Sequence, residues 1–254
     1  MRSRRSPRTW MRFSRCRSRR RVSFPRSPTT ELGERTVPKP AAVFFDMDGT
    51  IVSTERQGHQ ARTALAAHLG GGLTMPSFEE AVGVSDYHII RRALRDRERP
   101  AATAEIDDAF AWFTQRTALL LSEKLEILPG ALELIEELHA AGIPLGLVTS
   151  TRWDLAKIVI NQIGRIWWDT VVCGDHVGDQ SKPHPRPYLL AAQRLGVDPE
   201  DCVAIEDSPS GIASAEAAGF RRVIVVPSDL PVGPGPVRVL YESLKQVGLA
   251  DVEL

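Results

Sequence analysis

From Ala41 onward the chain alternates short, almost wholly apolar runs with longer stretches in which apolar positions recur every three or four residues. The short runs are AAVFF at 41–45, PLGLVT at 144–149, TVV at 170–172, CVAIE at 202–206 and RVIVV at 222–226. They lack apolar–polar alternation, which predicts strands buried on both faces, as in a parallel sheet covered by helices. The longer stretches predict helices at 130–141, 152–163, 186–195 and 209–218, each followed by a glycine, Gly142, Gly164, Gly196 and Gly219. Glycine there relieves the left-handed conformation that ends many helices. Strand and helix therefore alternate in the order of βαβ units, and the fold class is α/β.

One interval breaks this rhythm. About a hundred residues separate the first two strands, and helical patterns fit near 56–69, 86–98 and 105–125. They predict a second, all-helical unit over 56–127, inserted into the first crossover, with the sheet domain built from 41–55 and 128–254. The middle helix carries Arg91, Arg92, Arg95, Arg97 and Arg99 with Asp96 and Glu98 among them. That mixture reads as a solvated face with local ion pairs. Ser228 to Pro236 reads as a loop before a short terminal helix near 237–248.

Composition narrows the class. The 254 residues are 43% hydrophobic and 25% charged, which excludes a collagen, a wholly disordered chain and a disulfide scaffold. No apolar run approaches the ~18 residues of a spanning helix, so a soluble protein with no membrane partner is expected. The three cysteines, Cys16, Cys173 and Cys202, show no metal-site spacing and fit a reducing, cytoplasmic compartment.

The balance of 32 basic and 32 acidic side chains is a cancellation. Residues 1–40 hold thirteen basic against two acidic side chains, a net +11, and the remaining chain holds nineteen against thirty, a net −11. The Arg-, Ser- and Pro-rich extension lacks apolar periodicity and is expected to be disordered. A nucleic-acid or membrane-surface arm, an organelle transit peptide, a plain solvated tail and sequence upstream of the true start all fit it. An export signal does not, because no apolar stretch could serve as its hydrophobic region. The negative remainder disfavours a nucleic-acid partner.

Candidate chemistry concentrates at strand ends. VFFDMDGT sets Asp46 and Asp48 directly after the first strand, and CVAIE is followed by Asp207 after its own terminal Glu206. Open α/β sheets bind ligands at the carboxyl ends of their strands. If these strands are neighbours, four carboxylates converge, and such a cluster repels itself unless a cation sits within it. Hard oxygen ligands favour Mg²⁺ over zinc. Thr149 and Ser150 close LGLVTS with hydroxyls and turn N–H groups, and Lys182 lies in the proline-stiffened SKPHPRPY. A carboxylate nucleophile, a second carboxyl, a divalent cation, a hydroxyl and an ammonium form the set that phosphoryl transfer requires, since positioning and charge neutralisation lower its barrier.

With strand-DxDGT, strand-Thr-Ser, Lys-Pro and strand-Glu-Asp in that order, residues 41–227 resemble the haloacid dehalogenase-like hydrolase superfamily. The similarity is to the helical-cap subgroup that includes phosphoglycolate phosphatase and β-phosphoglucomutase. The resemblance implies a Rossmann-like parallel-sheet core with helices on both faces and an inserted all-helical cap. It implies Asp46 as the nucleophile that becomes an aspartyl-phosphate, and Asp48 as the acid and then the base. Thr149, Ser150 and Lys182 would bind the phosphoryl group. Mg²⁺ would sit on the Asp46 carboxylate, the Asp48 backbone carbonyl and Asp207, with Glu206 direct or through water. Dehalogenases of the superfamily typically lack an acid at the position of Asp48, so phosphoryl transfer is expected.

Departures from the subgroup pattern lie in and before the cap. Ser53-Thr54 stands where Asp-Ser is usual, Gly58 precedes a displaced His59, and Asp86 follows Gly83-Val84-Ser85 where β-phosphoglucomutase has a basic residue. The last two disfavour a mutase. The expected activity is thus a Mg²⁺-dependent phosphatase of a small phosphorylated metabolite, with a phosphomutase as alternative and a catalytically idle binding core as a third reading. A monomer is favoured. His59 and His88 are the cap histidines to test against substrate. Trp167, Trp168, Trp112 and Phe113 read as packing residues, and His139 as a favourable charge at its helix end.

Overall fold

The computed structural model describes residues 38–71, 86–96, 101–226 and 231–253. The Arg-rich extension with Cys16, Gly83-Val84-Ser85, Arg97 to Arg99 and residues 227–230 lie outside the described residues.

Six strands form one parallel sheet: β1 (Ala42–Phe45), β4 (Leu145–Val148), β5 (Thr170–Val172), β6 (Cys202–Glu206), β7 (Arg222–Val225) and β8 (Arg238–Leu240). Their order is β5-β4-β1-β6-β7-β8. Because β1 sits between β4 and β6, the chain winds outward in both directions from it. That reversal opens a crevice at the carboxyl ends of these three strands. Register places Phe45 beside both Leu147 and Ile205, so the residues just beyond each strand emerge at the same level.

The uniformly apolar strands are explained by burial on both sides. Val43, Phe45, Leu145, Leu147, Val203 and Ile205 face one layer, which holds α4 (Ala131–Ala140) and α5 (Trp153–Ile163). Ala42, Phe44, Val148, Cys202 and Ala204 face the other, which holds α6 (Arg186–Leu195) and α7 (Pro209–Ala217). Trp168 packs edge-on against Phe45 at 5.9 Å and Trp167 against His139 at 5.2 Å, so both tryptophans serve the first layer.

Between β1 and β4 come α1 (Glu55–His68), α2 (Asp86–Arg95) and α3 (Thr103–Glu123). Ala61 and Leu65 of α1, Ile90 and Leu94 of α2, and Ile106, Phe113 and Leu121 of α3 are buried in a core continuous with the first sheet layer. Trp112 stacks on His68 at 4.5 Å. The exposed pair Arg92–Asp96, 3.6 Å apart, bears out the solvated face expected of the arginine-rich helix.

A short antiparallel ribbon of β2 (Val52–Ser53) and β3 (Glu126–Ile127) pinches the two crossings between these helices and the sheet. It was not legible in the sequence, since each strand has only two residues.

The C-terminal expectation is corrected. In place of a helix near 237–248, Arg238–Leu240 forms the parallel edge strand β8, followed by a 3₁₀ turn at Leu244–Gln246 and α8 at Leu249–Val252. The free edge of β7 offers unpaired backbone groups, and the β-prone Arg-Val-Leu run satisfies them, as does the Tyr241 N–H donated to Val225 O at 2.9 Å.

Candidate active site

Strand ends build the site because each terminates at the same edge. Asp46 continues β1, its N–H still bonded to Ile205 O at 2.9 Å, and its side chain is 8% exposed. Asp48 lies half-buried one turn further on. Gly49 between them and α1 has φ +89°, and a Cβ there would collide with the Asp207 carboxylate, so only glycine lets the turn close over that group.

Lys182 reaches the centre from the loop before α6. Its Nζ donates to Asp46 Oδ1 and Glu206 Oε1, both at 2.6 Å, and to Val148 O at 2.9 Å, which uses all three ammonium donors. Tyr188 on α6 donates its hydroxyl to the same Glu206 Oε1 at 2.6 Å, and its ring lies 5.3 Å from the ammonium. Glu206 Oε2 accepts from the Asp207 N–H and the Ser208 hydroxyl, both at 3.3 Å. Glu206 is thus wholly enclosed, and a Cβ at Gly211 on α7 would strike its carboxylate.

One ammonium faces three buried carboxylates, Asp46, Glu206 and Asp207. Burial, with repulsion from Glu206 and Asp48, pushes Asp46 up to about 8 against the opposing pull of Lys182. Burial, then Asp46 and Glu206, push Asp207 up to about 9. Burial alone would lower Lys182, but Asp46 and Glu206 outweigh it and hold the ammonium above its usual range. Oxygens of Asp46, Glu206 and Asp207 all lie within 4.8 Å of one another. A compact, oxygen-only donor set with two excess negative charges fits a hard divalent cation.

Asp48 has a different environment. Thr149 donates to its Oδ2 at 3.1 Å, Thr151 to the same oxygen at 2.7 Å, and Thr54 to its Oδ1. Thr149 also takes the Thr151 N–H at 3.0 Å, which fixes the turn after β4. Of the residues expected from sequence, Asp46, Asp48, Thr149, Lys182, Glu206 and Asp207 converge. Ser150 is half-buried, and the second hydroxyl to reach Asp48 from that loop belongs to Thr151. Thr151 and Tyr188 escaped the sequence reading. The one local signal for Thr151 is its place two residues past Thr149, whereas nothing local distinguishes Tyr188 from a core aromatic.

The cap contributes from above. Thr54 stands just before α1 with its hydroxyl on Asp48, and within that helix Arg62 pairs with Asp86 of α2 at 2.5 Å. His59 is exposed and His88 half-buried beside Tyr87, their rings 6.2 Å apart. A cavity of about 510 Å³ opens at the seam of helices and sheet domain, lined by Tyr87, Phe110, Thr114, Arg152 and Asp154. The Arg152 guanidinium covers the Phe110 ring at 5.4 Å. Cys173 and Cys202 are buried with thiols pushed up to about 12, foremost by burial, which makes them inert. No described helix is long and apolar enough to cross a membrane.

The family profile described as haloacid dehalogenase-like hydrolase matches residues 40–219. Hexitol phosphatase A of Escherichia coli (strain K12) is 37% identical over 207 residues, covering 80% of this chain and 91% of that protein. Protein CbbY of Rhodobacter capsulatus is 33% identical over 207 residues, covering 76% of this chain and 87% of its own length. The crystal structure of CbbY from Rhodobacter sphaeroides in complex with phosphate superimposes with a TM-score of 0.76 at 31% identity, covering 85% of this chain and all of that one.

Proposed function

Because the chain belongs to the haloacid dehalogenase-like hydrolase family, as a phosphoric monoester hydrolase, we propose that it is a Mg²⁺-dependent phosphatase of small phosphorylated metabolites, of the sugar phosphate or phosphoglycolate type. The observation that carries this reading is the Lys182 ammonium, 2.6 Å from Asp46 Oδ1 at the end of β1, with Asp48, Thr149 and Asp207 around it.

In this reading Asp46 attacks phosphorus, an aspartyl-phosphate forms, and the P–O bond to the metabolite breaks. Asp48 gives its proton to the departing oxygen, then takes one from the water that attacks the aspartyl-phosphate and releases inorganic phosphate. The hydroxyls of Thr151 and Thr54 hold the Asp48 carboxyl in place through both transfers. Lys182 and Thr149 each turn a donor from the carboxylate it holds, Asp46 or Asp48, to a phosphoryl oxygen, with the turn N–H of Ser150 beside them. Asp46, the Asp48 backbone carbonyl and Asp207 would hold Mg²⁺. Glu206, whose oxygens already accept four bonds, would act on it through water. The cation would supply charge neutralisation for the phosphoryl oxygens. The cap excludes water that does not react.

Phosphate release from a panel of metabolite phosphates, with Mg²⁺ and with EDTA, tests the proposal. The expected result is metal-dependent release that Asp46→Asn abolishes. Conversion of a sugar phosphate to its isomer without free phosphate would point to the phosphomutase. Absence of both would leave the idle core.

A further inference from the structure

Thr54, Gly58 and Arg62 stand four residues apart on one face of α1. Thr54 touches Asp48, so this face begins at the edge where phosphoryl chemistry is proposed. Gly58 has no side chain, and Arg62, directed back toward the helix start as helical side chains are, fills the space above it. Arg62 Nη1 stands only 3.4 Å from where a Cβ on Gly58 would be. The guanidinium therefore lies about one helical turn, ~5 Å, beyond Thr54 along the helix.

Asp86, the first residue of α2, accepts from that same Nη1. The Arg62 side chain is 9% exposed and the Asp86 side chain 30%. Asp86 is near enough to Asp48 for the two carboxylates to repel, which adds to burial in raising Asp86 against the pull of Arg62. Two departures in the sequence, Gly58 and Asp86, are thus halves of one arrangement: the glycine admits the guanidinium and the aspartate holds it.

Cohesion between α1 and α2 does not explain the pair. Each helix is already anchored by apolar side chains, Ala61 and Leu65 of α1 and Ile90 and Leu94 of α2, in the core both share with α3, and a buried ion pair holds helices together no better than apolar side chains of similar volume. The position of the pair, about one helical turn beyond the Thr54 that touches Asp48, points instead to a ligand. Among the described residues the guanidinium has donors left over and Asp86 has acceptor sites left over, and their charges cancel. A hydroxyl, which both donates and accepts, suits such a pair. A carboxylate or a second phosphate would meet Asp86.

We infer that the Arg62–Asp86 pair reads the leaving group, and that it selects phosphate monoesters of neutral polyhydroxyl compounds over phosphates whose far end carries a second anion. This rests on the phosphatase reading and narrows its substrate class. Arg62 and Asp86 are specificity-determining residues distinct from the groups that handle the phosphoryl transfer.

The test measures kcat and KM for phosphate release by the full chain with Mg²⁺ on sorbitol 6-phosphate, phosphoglycolate and fructose 1,6-bisphosphate. The wild type is expected to show at least tenfold higher kcat/KM on sorbitol 6-phosphate than on either of the others. Asp86→Asn should narrow that ratio at least tenfold. Arg62→Gln should raise KM for sorbitol 6-phosphate at least tenfold while kcat changes less. A wild type that prefers phosphoglycolate or the bisphosphate overturns the inference without needing any variant to fold, and so does an Asp86→Asn ratio within twofold of wild type. Either result leaves the phosphatase standing, whereas no release from any ester overturns the phosphatase reading and this inference with it.

Discussion

Thr151 donates its hydroxyl to Oδ2 of Asp48 at 2.7 Å, across 103 residues of chain. With Thr149 on the same oxygen and Thr54 on the other, the carboxyl is gripped by three side chains from two segments. A hydrogen bond to a charged group contributes ~1.5–3 kcal/mol. If Thr151 positions Asp48 for proton transfer, Thr151→Val should lower kcat by about 10- to 100-fold. KM should move far less, and Thr151→Ser should restore most of the rate. A loss confined to KM would instead assign Thr151 to substrate binding.

The carboxylate cluster predicts stabilisation by metal. At a hundredfold excess over Kd a ligand adds ~2.7 kcal/mol, which for a domain of this size raises Tm by roughly 5–10 °C. Thermal unfolding with Mg²⁺ and with EDTA should show that rise in the wild type. Asp207→Asn should abolish it, as should Gly49→Ala, whose Cβ would collide with the Asp207 carboxylate. Equal shifts in all three proteins would rule out this cluster as the site.

In EDTA, Asp207→Asn should itself stabilise the fold. The Asp207 carboxyl is pushed up to about 9 by burial and by Asp46 and Glu206. A raised carboxyl favours folding below its unfolded value near 4 and loses that contribution as pH climbs through the folded value. At pH 7 the native residue is therefore a burden that a neutral amide removes. Urea unfolding should show a higher midpoint for the variant, and a lower one would contradict this account.

Lys182→Met has the opposite sign. Removing one partner of a buried ion pair costs ~3–5 kcal/mol, because the remaining charges are uncompensated. The urea midpoint should fall in EDTA and recover in part when Mg²⁺ supplies positive charge, while turnover is lost. Recovery by an equal concentration of Na⁺ would show that simple screening suffices.

Tyr188→Phe deletes only the hydroxyl that donates to Glu206 Oε1 at 2.6 Å. Leaving that buried acceptor with one fewer donor should cost ~1–3 kcal/mol. If Tyr188 acts through Glu206 as a positioning residue, the Mg²⁺ concentration for half-maximal rate should rise as well. A stability loss with an unchanged Mg²⁺ requirement would confine Tyr188 to packing.

Strands β1, β4, β5, β6 and β7, the alternation of strand and helix, the helical insertion and six of the converging side chains were all readable from the amino-acid order. These follow from local causes: apolar periodicity, helix-ending glycines, and carboxylates or hydroxyls placed just after buried strands. Asp46, Asp48, Thr149, Glu206 and Asp207 were legible because a strand's end has a fixed place in an open sheet, and Lys182 because its Lys-Pro loop completed an ordered set.

The rest depended on how distant segments pack. Arg238–Leu240 became a strand because the open edge of β7 was available to it, a fact no window around residue 238 contains. Thr151 in place of Ser150, Tyr188 beneath Lys182, and Arg62 above Gly58 against Asp86 all depend on which segments meet after folding. Hydrogen bonds and ion pairs of this kind join residues distant in sequence, and their strength is set by burial and by the neighbouring charges, which exist only once the chain has closed around them.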